Sequence, residues 1–231
     1  VGQAIVRVPG TTTELLRIQG GFYLSIEAST SPRFTMYTTG EMSFGSGDAR
    51  LTYGKTTGLL LIGLDGIAGT FTVSAGGGIG LPDVGSLFTA SGSVTVMFNT
   101  TLKVKTFQIP DSFLPLLRPG EPTSITVYKS APGLDGSRNP AGPAGGEVYI
   151  KAIIQAELSI GGAFTLNGYI GITAAVDPTG FAYLKVDGAV GTTIPFLGSL
   201  TGVLSLAVYV GTKTGVVGRI QLTLGSNQIP G

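Results

Sequence analysis

Residues that could carry acid–base or metal chemistry are few in this chain. Its 231 residues include 13 Asp and Glu but no Cys and no His. His is the commonest general base and transition-metal ligand, and Cys supplies thiolate nucleophiles. A glycosidase needs only two convergent carboxylates, but even nearby acidic pairs such as Asp177 and Asp187 stand well apart. We therefore expect no enzymatic activity, no metal site and no cofactor.

Three aspartates stand directly before a glycine, namely Asp65, Asp135 and Asp187. Asp-rich loops bind Ca²⁺ in proteins, but one carboxylate per loop is too few, and the nonapeptide of Ca²⁺-binding β-helix repeats is missing. Asp-Gly is also a common turn dipeptide. We predict three turns here rather than three metal sites.

One triplet, Asn99-Thr100-Thr101, fits the rule for N-linked glycosylation and falls at the end of a predicted strand. Asn99 is therefore a possible glycosylation site. Such triplets also arise by chance, so the alternative is an ordinary polar residue at a strand end.

Charge is sparse along the whole chain. Charged residues make up 12 %, against about 25 % in a typical soluble domain. The formal net charge is +1 and no basic cluster forms, which excludes a nucleic-acid footprint. Mean hydropathy is +0.40, yet no unbroken apolar run is long enough for a transmembrane helix. We therefore expect much of this protein's surface to be covered by other molecules or by further parts of the polypeptide.

Two-residue alternation dominates the sequence. Val94, Val96 and Phe98 alternate with polar or smaller residues, and the same pattern runs from Leu204 to Val210. This period predicts strands with one buried face and an all-β fold. Glycine clusters at 63–66 and 76–78 are predicted to form turns between strands.

A glycine-led strand recurs four times, at 2–8, 69–75, 146–152 and 218–224. The glycines are 67, 77 and 72 residues apart. Sequence periodicity of this kind is typical of repeat proteins, in which each unit packs mainly on its neighbours. We predict an elongated array of three repeats of about 72 residues, with sandwich-like or solenoid-like stacked sheets, and interpret the chain as an excerpt of a longer array.

The predicted boundaries follow these strands. Residues 1–10 form the terminal strand of a preceding repeat, 11–75 repeat 1, 76–152 repeat 2 and 153–231 repeat 3. Repeat 2 carries an inserted loop rich in Pro and Gly at 130–146. A loop of this composition becomes ordered by packing either on a neighbouring unit or on its own sheet, and the sequence leaves both possibilities open.

The sequences near both ends of the chain predict strands, and neither strand contains a proline that would hinder pairing at its edge. They predict two assembly edges that pair with neighbouring copies or with adjacent repeats of the same polypeptide. The apolar residues assigned to these edges are Ala4, Val6, Val8, Ile220, Leu222 and Leu224.

Glycine-started strands, Ile-Pro apolar segments such as 109–117 and 194–200, and Gly-Leu-Asp-Gly turns at 63–66 and 133–136 follow one another in order. In this respect the chain resembles the giant Gly/Thr-rich repeat exoproteins of environmental bacteria. The resemblance implies export to the cell surface or extracellular matrix, and a mechanical or adhesive role.

The leading hypothesis is a structural repeat segment of an extracellular filament, sheath or large surface adhesin. It would assemble by edge pairing and by stacking apolar faces. One alternative is an outer-membrane β-barrel, against which stand the missing Trp, the lack of aromatic girdles and strands that read as shorter than the roughly 9–11 residues needed to span. The other alternative is a carbohydrate-binding module with a glycan groove lined by Tyr23, Tyr37, Tyr53, Tyr169, Tyr183 and Tyr209.

Overall fold

A computed structural model shows one large antiparallel β-sheet with a small subdomain inserted on one of its faces. It describes residues 2–7, 14–28, 30–44, 52–81, 85–117, 119–160, 164–194, 198–211 and 214–225. The all-β prediction is confirmed. The predicted stacking of several sheets is not confirmed, because the described strands form one eleven-stranded sheet and one separate two-stranded sheet.

The strands of the large sheet are neighbours in chain order, in the sequence β1-β2-β3-β4-β5-β6-β9-β10-β11-β12-β13, while β7 pairs with β8. Their bounds are β1 Gly2–Arg7, β2 Glu14–Glu27, β3 Arg33–Phe44, β4 Thr52–Gly63, β5 Gly66–Leu81, β6 Gly85–Asn99, β7 Lys105–Gln108, β8 Ser124–Val127, β9 Val148–Ile160, β10 Phe164–Val176, β11 Ala182–Ile194, β12 Gly198–Val210 and β13 Gly215–Gly225. A 3-10 helix, Asp111–Leu116, lies between β7 and β8.

Ten strands of the large sheet are 11 to 16 residues long, so the expectation of short strands was wrong. The strands are longer than expected because glycines continue them instead of ending them. The cluster 76–78 does not form a turn but continues β5, with Gly76 opposite Ser91 and Gly78 opposite Thr89. Glycine weakens a strand but does not end it when both neighbours keep the ladder of hydrogen bonds intact.

The four glycine-led segments coincide with β1, β5, β9 and β13, which are every fourth strand along the chain. In the first and third intervals all four strands join the large sheet, whereas in the second interval β7 and β8 leave it. The three-repeat division remains a prediction that this arrangement does not test.

Residues 100–147, here called the insertion, connect β6 to β9 and pack on one face of the large sheet. Phe113 of the 3-10 helix and Val127 of β8 bury Tyr37 and Leu59 of the sheet. Ala131 packs with Tyr149 and Ala175 in a second cluster. Both buried apolar clusters of the described residues thus form where the insertion packs on the sheet, and the Pro/Gly segment 130–146 lies on its own sheet.

Close contact between insertion and sheet depends on a glycine in β10. Leu134 lies so near Gly171 that a Cβ added there would overlap the leucine side chain. Gly171 is buried, while Gly215 in β13 has no other atoms near the position of an added Cβ. The two glycines therefore form a matched pair for testing how the insertion docks.

We predict that Gly171→Leu displaces Leu134 and loosens the insertion without unfolding the large sheet. Trypsin should then cut at the exposed Arg138 at least about tenfold faster, because local opening controls proteolysis. Gly215→Leu should leave the rate unchanged. Equal cleavage rates in the two variants would show that the contact does not hold the insertion.

Candidate functional site

The two faces of the large sheet differ in chemistry. On one side, here called the apolar face, Val73, Val94, Ile154 and Ile170 are direct cross-strand neighbours in β5, β6, β9 and β10. On the other side, the polar face, the corresponding row one residue along is Ser74, Ser93, Gln155 and Tyr169. Strict alternation along the strands keeps the two sets apart.

The apolar face is exposed over its whole breadth. Twenty-four large apolar side chains on it are at least 37 % exposed. They are Phe22, Leu24, Ile26, Ile62, Ile67, Val73, Val94, Val148, Ile150, Ile154, Leu166, Ile170, Ile172, Val176, Leu184, Val190, Leu200, Leu204, Leu206, Val210, Val216, Ile220, Leu222 and Leu224. Among the side chains that the structure describes, this face carries no Asp, Glu, Lys or Arg.

The charged side chains of the strands lie on the polar face instead, including Lys55, Lys151, Lys185, Asp187 and Arg219. One cavity of about 870 Å³ is lined mainly by polar-face residues of seven consecutive strands, from Lys55 in β4 to Val203 in β12. The sheet therefore curves around its polar face, and the apolar face is convex.

The predicted assembly edges are the two outer strands of the sheet. Within the described chain β1 pairs only with β2, and β13 only with β12. Ile220, Leu222 and Leu224 lie on the apolar face and are 75–83 % exposed. Ala4 and Val6 lie in β1 opposite Ile18 and Leu16, while Val8 falls outside the described residues. Pairing of these edges with other strands remains a prediction.

Asn99 is fully buried at the junction between β6 and the insertion. Its Nδ2 donates to the carbonyl oxygens of Lys103 at 2.8 Å and Tyr128 at 2.9 Å, and its Oδ1 accepts from the backbone N–H of Thr101 at 2.8 Å. A glycan on Nδ2 would have to displace these bonds. The surroundings of Asn99 thus do not support glycosylation of the folded chain and explain the residue as a structural one.

Two of the three Asp-Gly predictions are confirmed. Asp65 lies in the turn between β4 and β5, and Asp135 accepts from the N–H and hydroxyl of Ser137 in a turn of the insertion. Asp187 instead lies in the middle of β11, opposite Gly171 and Ser205, so the turn predicted there was wrong. The Asp-Gly dipeptide cannot distinguish a turn from a strand when alternation continues on both sides.

Hydrogen bonds from Lys105 and Lys103 hold the pKa of Asp65 below its usual value, against a smaller opposing effect of burial. The ammonium–carboxylate distances are 2.7 Å for Lys105 and 3.3 Å for Lys103. Bonds from Ser137 likewise lower the pKa of Asp135, and bonds led by that from Thr179 lower the pKa of Asp177.

A buried carboxylate that the sequence did not single out lies at the end of the insertion, against the large sheet. Glu147 is 1 % exposed, accepts from the backbone N–H of Ala131 at 2.7 Å, and accepts from the Tyr183 hydroxyl at 3.1 Å. It joins the insertion to β11. Its place directly after the glycine of a recurring strand, where the other copies have Gln3, Thr70 and Arg219, was the only signal in the sequence.

Within the described ranges, no group of three or more acidic, His or Cys side chains gathers as a metal site would require. In the same part of the chain, no helix is long and apolar enough to cross a lipid bilayer. No protein-family model, curated protein or solved structure matches this chain. Similarity therefore transfers no function to it, and the contrast between the two faces is the strongest functional signal.

We predict that Asn99→Ala destabilises the fold by about 3 kcal/mol, because buried donor and acceptor groups lose their partners. Asn167→Ala on the exposed part of β10 should change stability by less than about 0.5 kcal/mol. Chemical denaturation followed by circular dichroism in detergent measures both values. Equal stability of the two variants would contradict the structural role of Asn99.

Asp65 predicts a pH dependence. Because its folded pKa is lowered, its bonds to Lys105 and Lys103 stabilise the fold above the unfolded pKa of about 4, and this contribution disappears as pH falls through the folded pKa. The melting temperature of the wild type should therefore exceed that of Asp65→Asn at pH 6 and converge with it near pH 2. A constant difference across this range would contradict the assignment.

Proposed function

We propose that this chain forms part of a membrane-embedded β-sheet wall, with its convex apolar face against lipid and its concave polar face toward water. The observation that carries the proposal is the uncharged and exposed apolar face described above. Lipid-facing sheets show this alternation, with apolar residues outward and polar residues inward.

The free energy involved is large. Covering a half-exposed Leu, Ile or Val side chain is worth about 1 kcal/mol, so two dozen of them amount to on the order of 20 kcal/mol. The net stability of a folded domain is only about 5–15 kcal/mol. A face of this size in water would dominate the behaviour of the molecule, and a surface that covers it is therefore part of the functional state.

The strand lengths support lipid as the covering phase. Strands of 11 to 16 residues extend about 36–53 Å, or about 28–40 Å along the membrane normal at a tilt of about 40°. The apolar band of such sheets is about 25 Å tall. The argument against a membrane location from short strands no longer applies.

Lipid also requires that backbone N–H and C=O groups find partners. The inner strands satisfy this through their antiparallel ladders. The edges β1 and β13 would need additional strands, supplied by each other, by further parts of the polypeptide or by another copy. This requirement links the proposal to the predicted edge pairing.

A filament in which apolar faces of different copies stack remains the second candidate. The observation that favours it is the placement of aromatic residues. The apolar face carries Phe22 and Phe71, whereas Tyr23, Tyr169 and Tyr183 belong to the polar face. A lipid-facing sheet usually has Tyr or Trp at its membrane interfaces, and a protein-covered face does not need them.

We predict that the chain, refolded from urea with phosphatidylcholine vesicles, floats with the vesicles in a density gradient. Ile154→Arg should lower the fraction of the chain that floats at limiting lipid, because an arginine on the lipid face near the midplane costs about 2–4 kcal/mol. The adjacent Gln155→Arg points to the polar face and is the matched control, expected to float like the wild type.

Flotation of Ile154→Arg equal to that of the control would contradict a lipid-facing location. If the wild type instead stays out of the vesicles and forms filaments in electron micrographs of lipid-free buffer, the membrane proposal fails and the stacked filament is supported.

A further inference from the structure

We propose that β13 pairs antiparallel with β13 of a second copy of this chain, so that the two copies form one continuous sheet of twenty-two strands, eleven from each copy. Strand addition at a sheet edge is a common mode of protein recognition, in which backbone hydrogen bonds supply the affinity. A membrane wall needs a partner strand at each edge. The same pairing would form if protein instead of lipid covered the apolar face.

The two outer strands of the large sheet differ in how well they are protected against pairing. β13 has eleven residues, all of them exposed, and pairs with β12 along its whole length without a register shift. β1 has six residues, and its pairing with β2 shifts register between Val6 and Arg7. Proteins protect edge strands by short length, bulges, proline and charge. β13 contains no proline and a single charged residue, Arg219, so it is the less protected edge.

The alternation of faces restricts how two copies can join. All neighbouring strands of the large sheet are antiparallel, so its first and eleventh strands, β1 and β13, run in the same direction. If both faces continue from one copy into the next, β13 can pair either antiparallel with another β13 or parallel with another β1. Parallel pairing is slightly less stable per residue and would use only the six residues of β1. Pairing of two β13 strands is therefore favoured.

One register of this pair uses the whole strand. If Ile220 lies opposite Ile220 of the second copy, Gly215 lies opposite Gly225 and all eleven residues have a partner. On the apolar face, aliphatic side chains then meet aliphatic side chains or glycine, as with Leu222 opposite Gly218. A shift by one residue would instead place apolar positions opposite polar ones.

The polar face favours the same register. It places Arg219 opposite Gln221 of the second copy, and symmetry makes this contact twice. Arg219 already donates to Gln221 within its own strand, so its guanidinium and this amide oxygen are suitable partners. A shift by two residues in one direction would place Arg219 opposite Arg219, and like charges directly opposite each other are destabilising. A shift by two residues in either direction also leaves two residues at one end of each strand unpaired.

The symmetry of this contact keeps the two faces apart. Its twofold axis is perpendicular to the sheet and passes between the two copies of Ile220, so both apolar faces lie on one side and both polar faces on the other. The contact is isologous and closes at two copies. The copies run in opposite directions, and their insertions lie at opposite ends of the combined sheet.

Disulfide cross-linking tests the register directly, because the chain contains no Cys. Opposite residues of antiparallel strands have Cα atoms about 4.5–5.5 Å apart, within the range of about 4.4–6.8 Å that a disulfide requires. Ile220→Cys, refolded in detergent and oxidised, should therefore cross-link two copies at least about tenfold faster than Val217→Cys, since residue 217 and its counterpart would be about 20 Å apart along the strands.

A mixture of two variants separates edge pairing from stacking of apolar faces. Val217 and Thr223 both belong to the polar face and lie opposite each other in the proposed register. Val217→Cys and Thr223→Cys should each cross-link slowly alone, and at least about tenfold faster when the two variants are refolded together. Stacking of apolar faces would not bring these two residues together, because their side chains point to the other side of the sheet.

The charge at position 221 provides a second test without cysteine. Gln221→Arg would face Arg219 of the second copy and should weaken dimerisation by about 2-fold to 30-fold, whereas Gln221→Glu should strengthen it by a similar factor, since each dimer contains two such pairs. Residue 221 is exposed, so neither substitution disturbs packing within one copy. Sedimentation velocity in detergent measures dimerisation, and circular dichroism checks that both variants fold.

Three results would each overturn the proposal. Ile220→Cys could cross-link no faster than Val217→Cys, refolding Val217→Cys together with Thr223→Cys could bring no acceleration, or the two substitutions of Gln221 could change dimerisation equally. These measurements do not depend on flotation with vesicles, so their failure is distinguishable from failure of the membrane proposal.

Discussion

The structure depends on one constraint, the separation of apolar and charged side chains onto opposite faces of a single curved sheet. Alternation along each strand creates the separation, and the antiparallel register carries it across neighbouring strands. A one-residue shift of register anywhere would place charges such as Lys151 or Asp187 among the aliphatic side chains. The pairing of all eleven strands is therefore specified by the same pattern that makes the apolar face unsuited to water.

The two buried apolar clusters of the described chain lie where the insertion packs on the sheet. The insertion covers one end of the polar face, where Tyr37, Leu59 and Tyr149 replace polar residues and pack against it. Glycines on the sheet allow the close approach, and the buried Asn99 and Glu147 fasten the two parts by hydrogen bonds. The cavity of about 870 Å³ lies on the same side of the sheet. Polar chemistry is thus concentrated on the concave face, while the convex face presents only apolar residues, Thr and Gly among its described side chains.

Much of this fold was predictable from the sequence because strand alternation is a local signal. The all-β class, the strands at both ends and the turn at Asp65 follow from residues close together in the chain. Strand length was not predictable, since the glycines at 76–78 have the composition of a turn and yet continue β5. Position alone could not reveal that Asp187 lies within a strand.

The candidate site required information that no local pattern contains. The hydrogen bonds of the buried Glu147 depend on Ala131 of the insertion and Tyr183 of β11, which are brought together only by folding. The burial of Asn99 depends on carbonyl groups of Lys103 and Tyr128, the latter 29 residues away. The apolar face itself was indicated by sparse charge and high hydropathy, but its convexity comes from the curvature of the whole sheet.

Because the chain contains no Cys, a single cysteine introduced at each position from 165 to 170 of β10, outside the part covered by the insertion, can carry a spin label at one defined site. Electron paramagnetic resonance in lipid vesicles then measures the accessibility of each label to oxygen, which partitions into lipid, and to a polar nickel chelate. If the sheet is a membrane wall, the two accessibilities alternate with a period of two and opposite phases, with oxygen highest at Leu166 and Ile170. Equal access of the nickel chelate to both faces would contradict a lipid-covered apolar face.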